Sequence, residues 1–276
     1  MGKLVKNLVK KKGIAIKKIA KPLVSISFWV MLLINMSLAQ AGEVTVAVAS
    51  NALQALKDIK QRFEKSTGNT VLISSGSTGK LYTQIINGAP FDVFLAANSR
   101  EPERLEQAKA IVPGSRITYA EGRLVLWAHG KIEGASGDSS LLSQYLSSPK
   151  LSRITLANPK TAPYGLAAQQ YLQNTQQWNA IQGKLIRAEN VTQAFQFTQS
   201  QNVQLGFVAL SQIKGFPQPI NEDEYWLVPQ NYYAPIEQQG VLLKRAEHNT
   251  AAQKFMSYLK SAEVKQLLHD RYGYGA

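Results

Sequence analysis

Read for its apolar and polar positions, the chain alternates strand and helix patterns over most of its length. Val44, Val46 and Val48 recur every second residue, as on one face of a strand. Leu53, Leu56, Ile59 and Phe63 then recur at helical spacing until Thr67-Gly68, a pair suited to stopping a helix. Thr70 to Ile73 forms a second short apolar run, followed by the polar loop Ser74-Ser75-Gly76-Ser77-Thr78-Gly79. Leu81, Ile85 and Ile86 mark another helix that ends at Asn87-Gly88, and Asp92 to Ala96 reads as a third strand. Strand, helix, strand, helix, strand with short links predicts a parallel sheet covered by helices.

The same logic returns further on. Ile154 to Ala157, Lys184 to Ile186 and Leu205 to Leu210 read as strands, with helices over Gly165 to Leu172 and Val191 to Gln199 between them. Two apolar runs, Arg123 to Ala128 and Gly240 to Leu243, are candidates for strands crossing between the two layers. A C-terminal helix pair is expected to return to the first layer, through Ala252, Phe255, Met256 and Leu259 and then Val264, Leu267 and Leu268. The boundaries that follow are 42–122 for a first lobe, 123–236 for a second and 237–276 for the return to the first.

Residues 1–41 do not join this pattern. They carry eight lysines and no acid, then a 16-residue apolar stretch from Leu23 to Leu38 and the small-x-small triplet Ala39-Gln40-Ala41. A spanning helix needs about 20 apolar residues. The segment therefore reads as a secretory signal with cleavage before Gly42, a retained membrane anchor being the alternative. Setting it aside changes the charge: of 31 basic residues in the chain, 23 remain against 18 acidic ones, a balance of +5 rather than +13. No dense basic cluster with interleaved aromatics follows Gly42, which argues against a nucleic-acid partner. Cysteine is absent, so neither disulfides nor a lipid-acceptor thiol are available, and a free periplasmic monomer is expected.

In sheets of this kind ligands bind beyond the carboxyl ends of the strands, where helix N-termini point. Four loops occupy that position: Ser50-Asn51, Ser77-Thr78, Pro163-Tyr164-Gly165 and Asn190-Val191-Thr192. Each offers free backbone N–H groups, and most add a hydroxyl or an amide. Taken singly, each has an ordinary explanation: Ser50 and Asn51 as helix caps, the Ser/Thr/Gly loop as a turn, Tyr164 as a surface aromatic, Val191 as a core residue. Taken together, they point to a site. A helix N-terminus acts as about half a positive charge, so four of them amount to roughly two, which matches a tetrahedral dianion without any lysine or arginine.

Several stretches then resemble a known family: VTVAVASNALQALKD (44–58), ISSGSTG (73–79), NGAPFDVFLAAN (87–98), ITYAEGRLVLWA (117–128), NPKTAPYGLA (158–167), LGFVAL (205–210) and NYYAPIEQQGVL (231–242). Together they are similar to the periplasmic molybdate/tungstate-binding receptors of ATP-binding-cassette importers, the ModA-like proteins. The resemblance implies an α/β protein of the two-lobed type II periplasmic-binding-protein fold. Each lobe would be a mostly parallel sheet flanked by helices, with two hinge strands between them. It also implies delivery of the ion to a membrane permease and, through it, to a cytoplasmic ATPase, with no cofactor and no direct metal ligand. Carried over by position, the oxyanion would be held by Ser50 with Asn51, by Thr78, by the Tyr164 region and by the backbone of Val191. One departure is Ala209, where many members place a tyrosine.

Other functions fit less well. An enzyme would need a titratable acid or base in the cleft, and the four loops supply almost none. His129, His248 and His269 fall in no metal-ligand spacing, no G-x-S-x-G is present, and GSTGK lacks the residues of a phosphate-binding loop on both sides. A phosphate receptor would benefit from a carboxylate acceptor, and Glu189 is the only acid near the four loops. An organic-acid receptor would want an arginine clamp, which the loops do not contain. Sulfate is smaller and would leave donors unsatisfied in a pocket sized for molybdate or tungstate.

Overall fold

A computed structural model of the protein describes residues 41–130 and 139–275. The expected leader lies outside the described residues apart from Ala41, as does Ala276. Among the described residues no helix is long and apolar enough to cross a membrane.

The N-terminal half builds β1 (Glu43–Ala49), β2 (Thr70–Gly76), β3 (Val93–Ala96) and β4 (Ile117–Gly122), with α1 (Leu53–Thr67), α2 (Thr78–Ile86) and α3 (Arg100–Gln107) between them. The second half contributes β5 (Leu124–Ala128), β6 (Ile154–Ala157), β7 (Leu185–Ala188), β8 (Leu205–Ala209) and β9 (Tyr225–Leu227). Its helices are α4 (Ser139–Ser147), α5 (Pro163–Asn174), α6 (Trp178–Ile181), α7 (Val191–Gln199) and α8 (Leu210–Lys214). The chain closes with β10 (Ile236–Leu242), α9 (Thr250–Leu259) and α10 (Ala262–Tyr272). These form two five-stranded sheets, ordered β2-β1-β3-β10-β4 and β7-β6-β8-β5-β9.

The two sheets share one plan. In each, three strands joined through helices run parallel, and two more add antiparallel: β10 on β3 and β4 on β10 in the first sheet, β5 on β8 and β9 on β5 in the second. Four of the five strands in each sheet run in one direction, β10 and β5 being the reversed ones, so each sheet is mostly parallel as expected. The antiparallel strands are those next to the links that pass between the sheets, and they are not joined to their neighbours by covering helices, which is what forces parallel pairing. The expected crossing strands each stay within one sheet. The passage is made at Arg123, between β4 and β5, and over residues 228–235, between β9 and β10. These passages meet in the first sheet, where Gly122 and Ile236 are register partners.

Packing follows the apolar pattern. Val44, Val46 and Val48 lie with Leu56, Ile59 and Phe63 of α1 and with Phe255, Leu259, Val264 and Leu268 of α9 and α10, so the C-terminal pair covers the first sheet. Phe63 and Phe255 meet edge to face at 5.3 Å. Ala47, Phe94 and Val241 point to the other face, against Leu81 and Leu105. With both faces covered, β1 is buried along nearly its whole length, as sheets clad on two sides require. The second sheet has its own core, in which Trp127 stacks on Phe195 at 4.5 Å. Gly68 ends α1 with a φ of 71°, as the Thr67-Gly68 stop predicts.

Two local readings change. Ser74, Ser75 and Gly76 belong to β2 rather than to a loop, because Ala47, Val48 and Ala49 of β1 pair with them and extend the ladder. Asp92 precedes β3 as a tie: its carboxylate accepts from the Thr45 amide at 2.9 Å and from Arg245 at 2.7 Å. The NGAPFD stretch therefore works as a structural clasp.

Candidate functional site

The carboxyl ends of five parallel strands converge. β1 runs into Ser50 and Asn51, β2 into Ser77 and Thr78, and β3 into Ala97; β6 leads to Ala162, Pro163 and Tyr164, and β7 to Val191. All of these line one small cavity. All five residues expected at the site, Ser50, Asn51, Thr78, Tyr164 and Val191, are brought together there. The lining contains no lysine, arginine, aspartate, glutamate or histidine.

Three of the four expected helix openings behave as read. α2 begins at Thr78, α5 at Pro163 and α7 at Val191, so their first amides have no carbonyl one turn earlier to bond. Pro163 stands at the first position, where its missing N–H costs nothing. Asn190 caps α7 by accepting from the Gln193 amide at 3.0 Å. Gly165 brings α5 hard against the end of β6: a Cβ there would stand 2.1 Å from the Ala157 carbonyl oxygen. The fourth opening differs. Ser50–Ala52 is a 3-10 turn that leads into α1, and neither side chain caps the helix.

Asn51 uses its side chain inward. Its side-chain amide donates to Gln238 Oε1 at 2.8 Å and to the Tyr274 hydroxyl at 3.0 Å, while its backbone carbonyl accepts from Ser211 Oγ at 3.0 Å. Both side-chain N–H groups are thereby occupied, which leaves the backbone amide as the donor Asn51 can turn to the cavity. Gln238 in turn donates to the Ile236 carbonyl at 3.0 Å. Nothing local in the sequence signals Gln238 or Tyr274, which lie 187 and 223 residues from Asn51.

Thr78 is fully buried, and its hydroxyl accepts from the Ala97 amide at 3.1 Å, so its own proton remains to be given. Ser77 is 2 % exposed, and its hydroxyl has no partner among the described residues; the same holds for the Tyr164 hydroxyl. Two orphaned donors in one uncharged cavity are costly unless something accepts from them. Ser77 was legible only as part of its loop, since the position beside Thr78 gave no reason to separate the two.

Burial pushes the Tyr164 phenol well above its ordinary pKa, and the nearby phenols of Tyr274, Tyr233 and Tyr119 add to this, against the opposing influence of the nearby Asn51 side chain. Tyr274 is pushed up to about 12, again by burial, against the opposing hydrogen bonds of Ser211 and Asn51. Both therefore stay protonated, as donors must. Ala209 is buried outside the cavity lining, with its amide on Gln212 Oε1 at 3.0 Å. The tyrosine that lines the cavity is Tyr164. Glu189 also lies outside the lining and pairs with Lys80 at 2.7 Å. Among the described residues, no three His, Asp or Glu side chains gather as around a metal ion.

Direct bonds join the two halves around the cavity. The Gly79 amide donates to the Thr161 carbonyl at 2.9 Å, and Thr192 Oγ1 donates to the Ser50 carbonyl at 3.0 Å.

Residues 44–275 match the family model described as bacterial extracellular solute-binding protein. The chain is 44% identical over 237 residues to the molybdate-binding protein ModA of Azotobacter vinelandii, a match spanning 86% of this chain and 91% of that one. It is 37% identical over 236 residues to the molybdate-binding protein ModA of Rhodobacter capsulatus, spanning 86% and 89%. Among solved structures, the Azotobacter vinelandii periplasmic molybdate-binding protein aligns with a TM-score of 0.76 at 37% identity, covering 84% of this chain and 99% of that one. The sulfate-binding protein SubI of Mycobacterium tuberculosis, at 11% identity and a TM-score of 0.66, covers 84% and 86% and shares the fold.

Proposed function

We propose that this chain, which belongs to the bacterial extracellular solute-binding proteins and within them to the molybdate-binding ModA group, is a receptor that encloses one molybdate or tungstate ion and hands it to an importer. The observation that carries this reading is the uncharged cavity at the carboxyl ends of five strands, with the buried Ser77 and Tyr164 hydroxyls lacking a hydrogen-bond partner among the described residues.

The physical argument concerns desolvation. Stripping water from a dianion is expensive unless nearly every oxygen meets a donor. The cavity answers with the hydroxyls of Ser50, Ser77 and Thr78, with Tyr164, and with the amides of Asn51, Thr78 and Val191. The positive ends of α2, α5 and α7 supply the counter-charge. An uncharged site also favours release, because a lysine or arginine paired with the ion would hold it after the lobes part. The absence of any carboxylate among the lining residues disfavours phosphate, which keeps a proton near neutral pH and would gain from an acceptor.

In this reading, residues 42–122 and 237–276 form one lobe and 123–236 the other. Residues 1–41 direct export and are removed before Gly42. The receptor works outside the cytoplasmic membrane, and its partners are a permease and the ATPase behind it. It needs no cofactor and performs no chemistry on the ion. Thermal unfolding with increasing molybdate, tungstate, sulfate and phosphate tests the proposal. The first two are expected to raise the midpoint progressively by mass action. A rise with phosphate alone would reassign the ligand, and no rise with any of the four would remove the proposal.

A further inference from the structure

Tyr164, which lines the cavity, also reaches the place where the two inter-sheet passages meet, and a glycine receives it there. Gly122 is the last residue of β4; two residues later, past Arg123, the chain has entered β5 of the other sheet. Its register partner is Ile236, the first residue of β10 and the end of the second passage. Against this point stands Tyr164, carried by α5 of the second half. A Cβ built on Gly122 would lie 2.2 Å from the Tyr164 hydroxyl oxygen, 3.1 Å from Cζ and 3.0 Å from Gln238 Nε2. The phenol is thus seated directly on backbone, in a space no other residue type leaves open. Tyr164 is also 2 % exposed, so its ring has no outward path of escape.

We propose that Gly122 is a positioning residue for ion capture: its missing side chain is the seat that lets Tyr164 reach the crossover while the same residue lines the cavity. The inference deepens the receptor reading and rests on it. With the seat filled, the hydroxyl has two ways to move. It can be driven toward the cavity, which shrinks the space for an ion, or the second half can back away from β4, which opens the cavity. Both weaken binding. Asn51 reaches the same crossover by a polar route, through Gln238 to the Ile236 carbonyl, so two of the expected ion-binding residues are fixed at one point of the frame. The position of the crossover is thereby tied to the shape of the cavity without any charged group.

The test is a double-mutant cycle with Gly122→Ala, Tyr164→Phe and the double variant, titrated with sodium molybdate by calorimetry, with the ligand-free melting midpoint of each. Gly122→Ala is expected to weaken binding by about ten-fold or more, the scale of contacting-residue coupling. Tyr164→Phe weakens it by its own factor, because a donor is lost. Removing the hydroxyl removes the 2.2 Å contact and leaves only the looser ones with Cζ and Gln238 Nε2, so in the double variant Gly122→Ala is expected to cost far less than it does beside the tyrosine. Binding by Gly122→Ala within about two-fold of the natural chain, or the same fold-loss from Gly122→Ala with and without the hydroxyl, would overturn the proposal. If the natural chain takes up no molybdate, the receptor reading fails and the midpoints decide the seat alone. There, Tyr164→Phe must recover most of what Gly122→Ala loses, and strictly additive losses would refute it.

Discussion

Lys80 Nζ lies 2.7 Å from Glu189 Oε1, joining the first turn of α2 to the residue before the Asn190 cap of α7. The pair spans the two halves next to Thr78 and Val191 but outside the cavity, and both side chains are about half exposed, 51% each. It therefore acts on closure rather than on the ion.

Lys80→Ala is accordingly expected to speed molybdate dissociation by about five-fold at most, since an exposed pair is worth up to about 1 kcal/mol. The difference from the natural chain should fade at high salt, where such pairs are screened. Stopped-flow displacement at two ionic strengths measures this. A loss that persists undiminished in high salt would place Lys80 on the ion itself.

Thr78→Val removes a hydroxyl of nearly unchanged volume from a fully buried site. A donor to a buried anion contributes about 1.5 to 3 kcal/mol, so affinity should fall by roughly ten- to one-hundred-fold. The Ala97 amide also loses its acceptor, and the ligand-free midpoint should drop by the equivalent of about 1 to 2 kcal/mol. A lowered midpoint with unchanged affinity would make Thr78 structural only.

Affinity should be flat with pH from about 6 to 9, because no titratable carboxylate, amine or imidazole lines the cavity. The phenol of Tyr164 is held well above its ordinary pKa and that of Tyr274 at about 12, so both keep their protons throughout this window. Titrations at several pH values check it. A binding curve with a midpoint near neutrality would reveal an ionising group at the ion.

Stability, by contrast, should depend on acid through Glu64. Burial raises its carboxyl, but Lys60 at 2.6 Å and the Val71 amide at 2.7 Å outweigh that, and the group sits below its ordinary 4.5. A carboxyl depressed in the folded state contributes stability above the unfolded value, and that stability is lost as pH falls through the folded one. Glu64→Gln should therefore cost about 1 kcal/mol at neutral pH, and the two chains should converge below the ordinary value. Chemical unfolding at neutral and acid pH measures the difference. An undiminished difference in acid would assign the effect to packing.

The sequence carried most of the architecture because β1, α1, β2 and α2 each bury a regular face, and short links between them leave one arrangement. The site was legible for a similar reason: strand ends followed by helix starts name their own loops. α3 escaped because its buried residues are Glu101, Pro102 and Leu105, which make no apolar stripe. β9, three residues long, is set by pairing with β5 rather than by pattern. The inward use of Asn51 was hidden because its partners, Gln238 and Tyr274, come from the far end of the chain. Gly122 carries no signal of its own in the sequence, because what singles it out is Tyr164, 42 residues later, packed against it.

The central claim is that fixed, uncharged donors enclose a single tetrahedral dianion. Calorimetric titration of the full chain with molybdate, then with sulfate, tests it most directly. One ion per chain is expected, with molybdate bound far more tightly than sulfate, whose smaller radius leaves donors short of contact. Equal affinity for the two ions, or more than one strong site per chain, would contradict it.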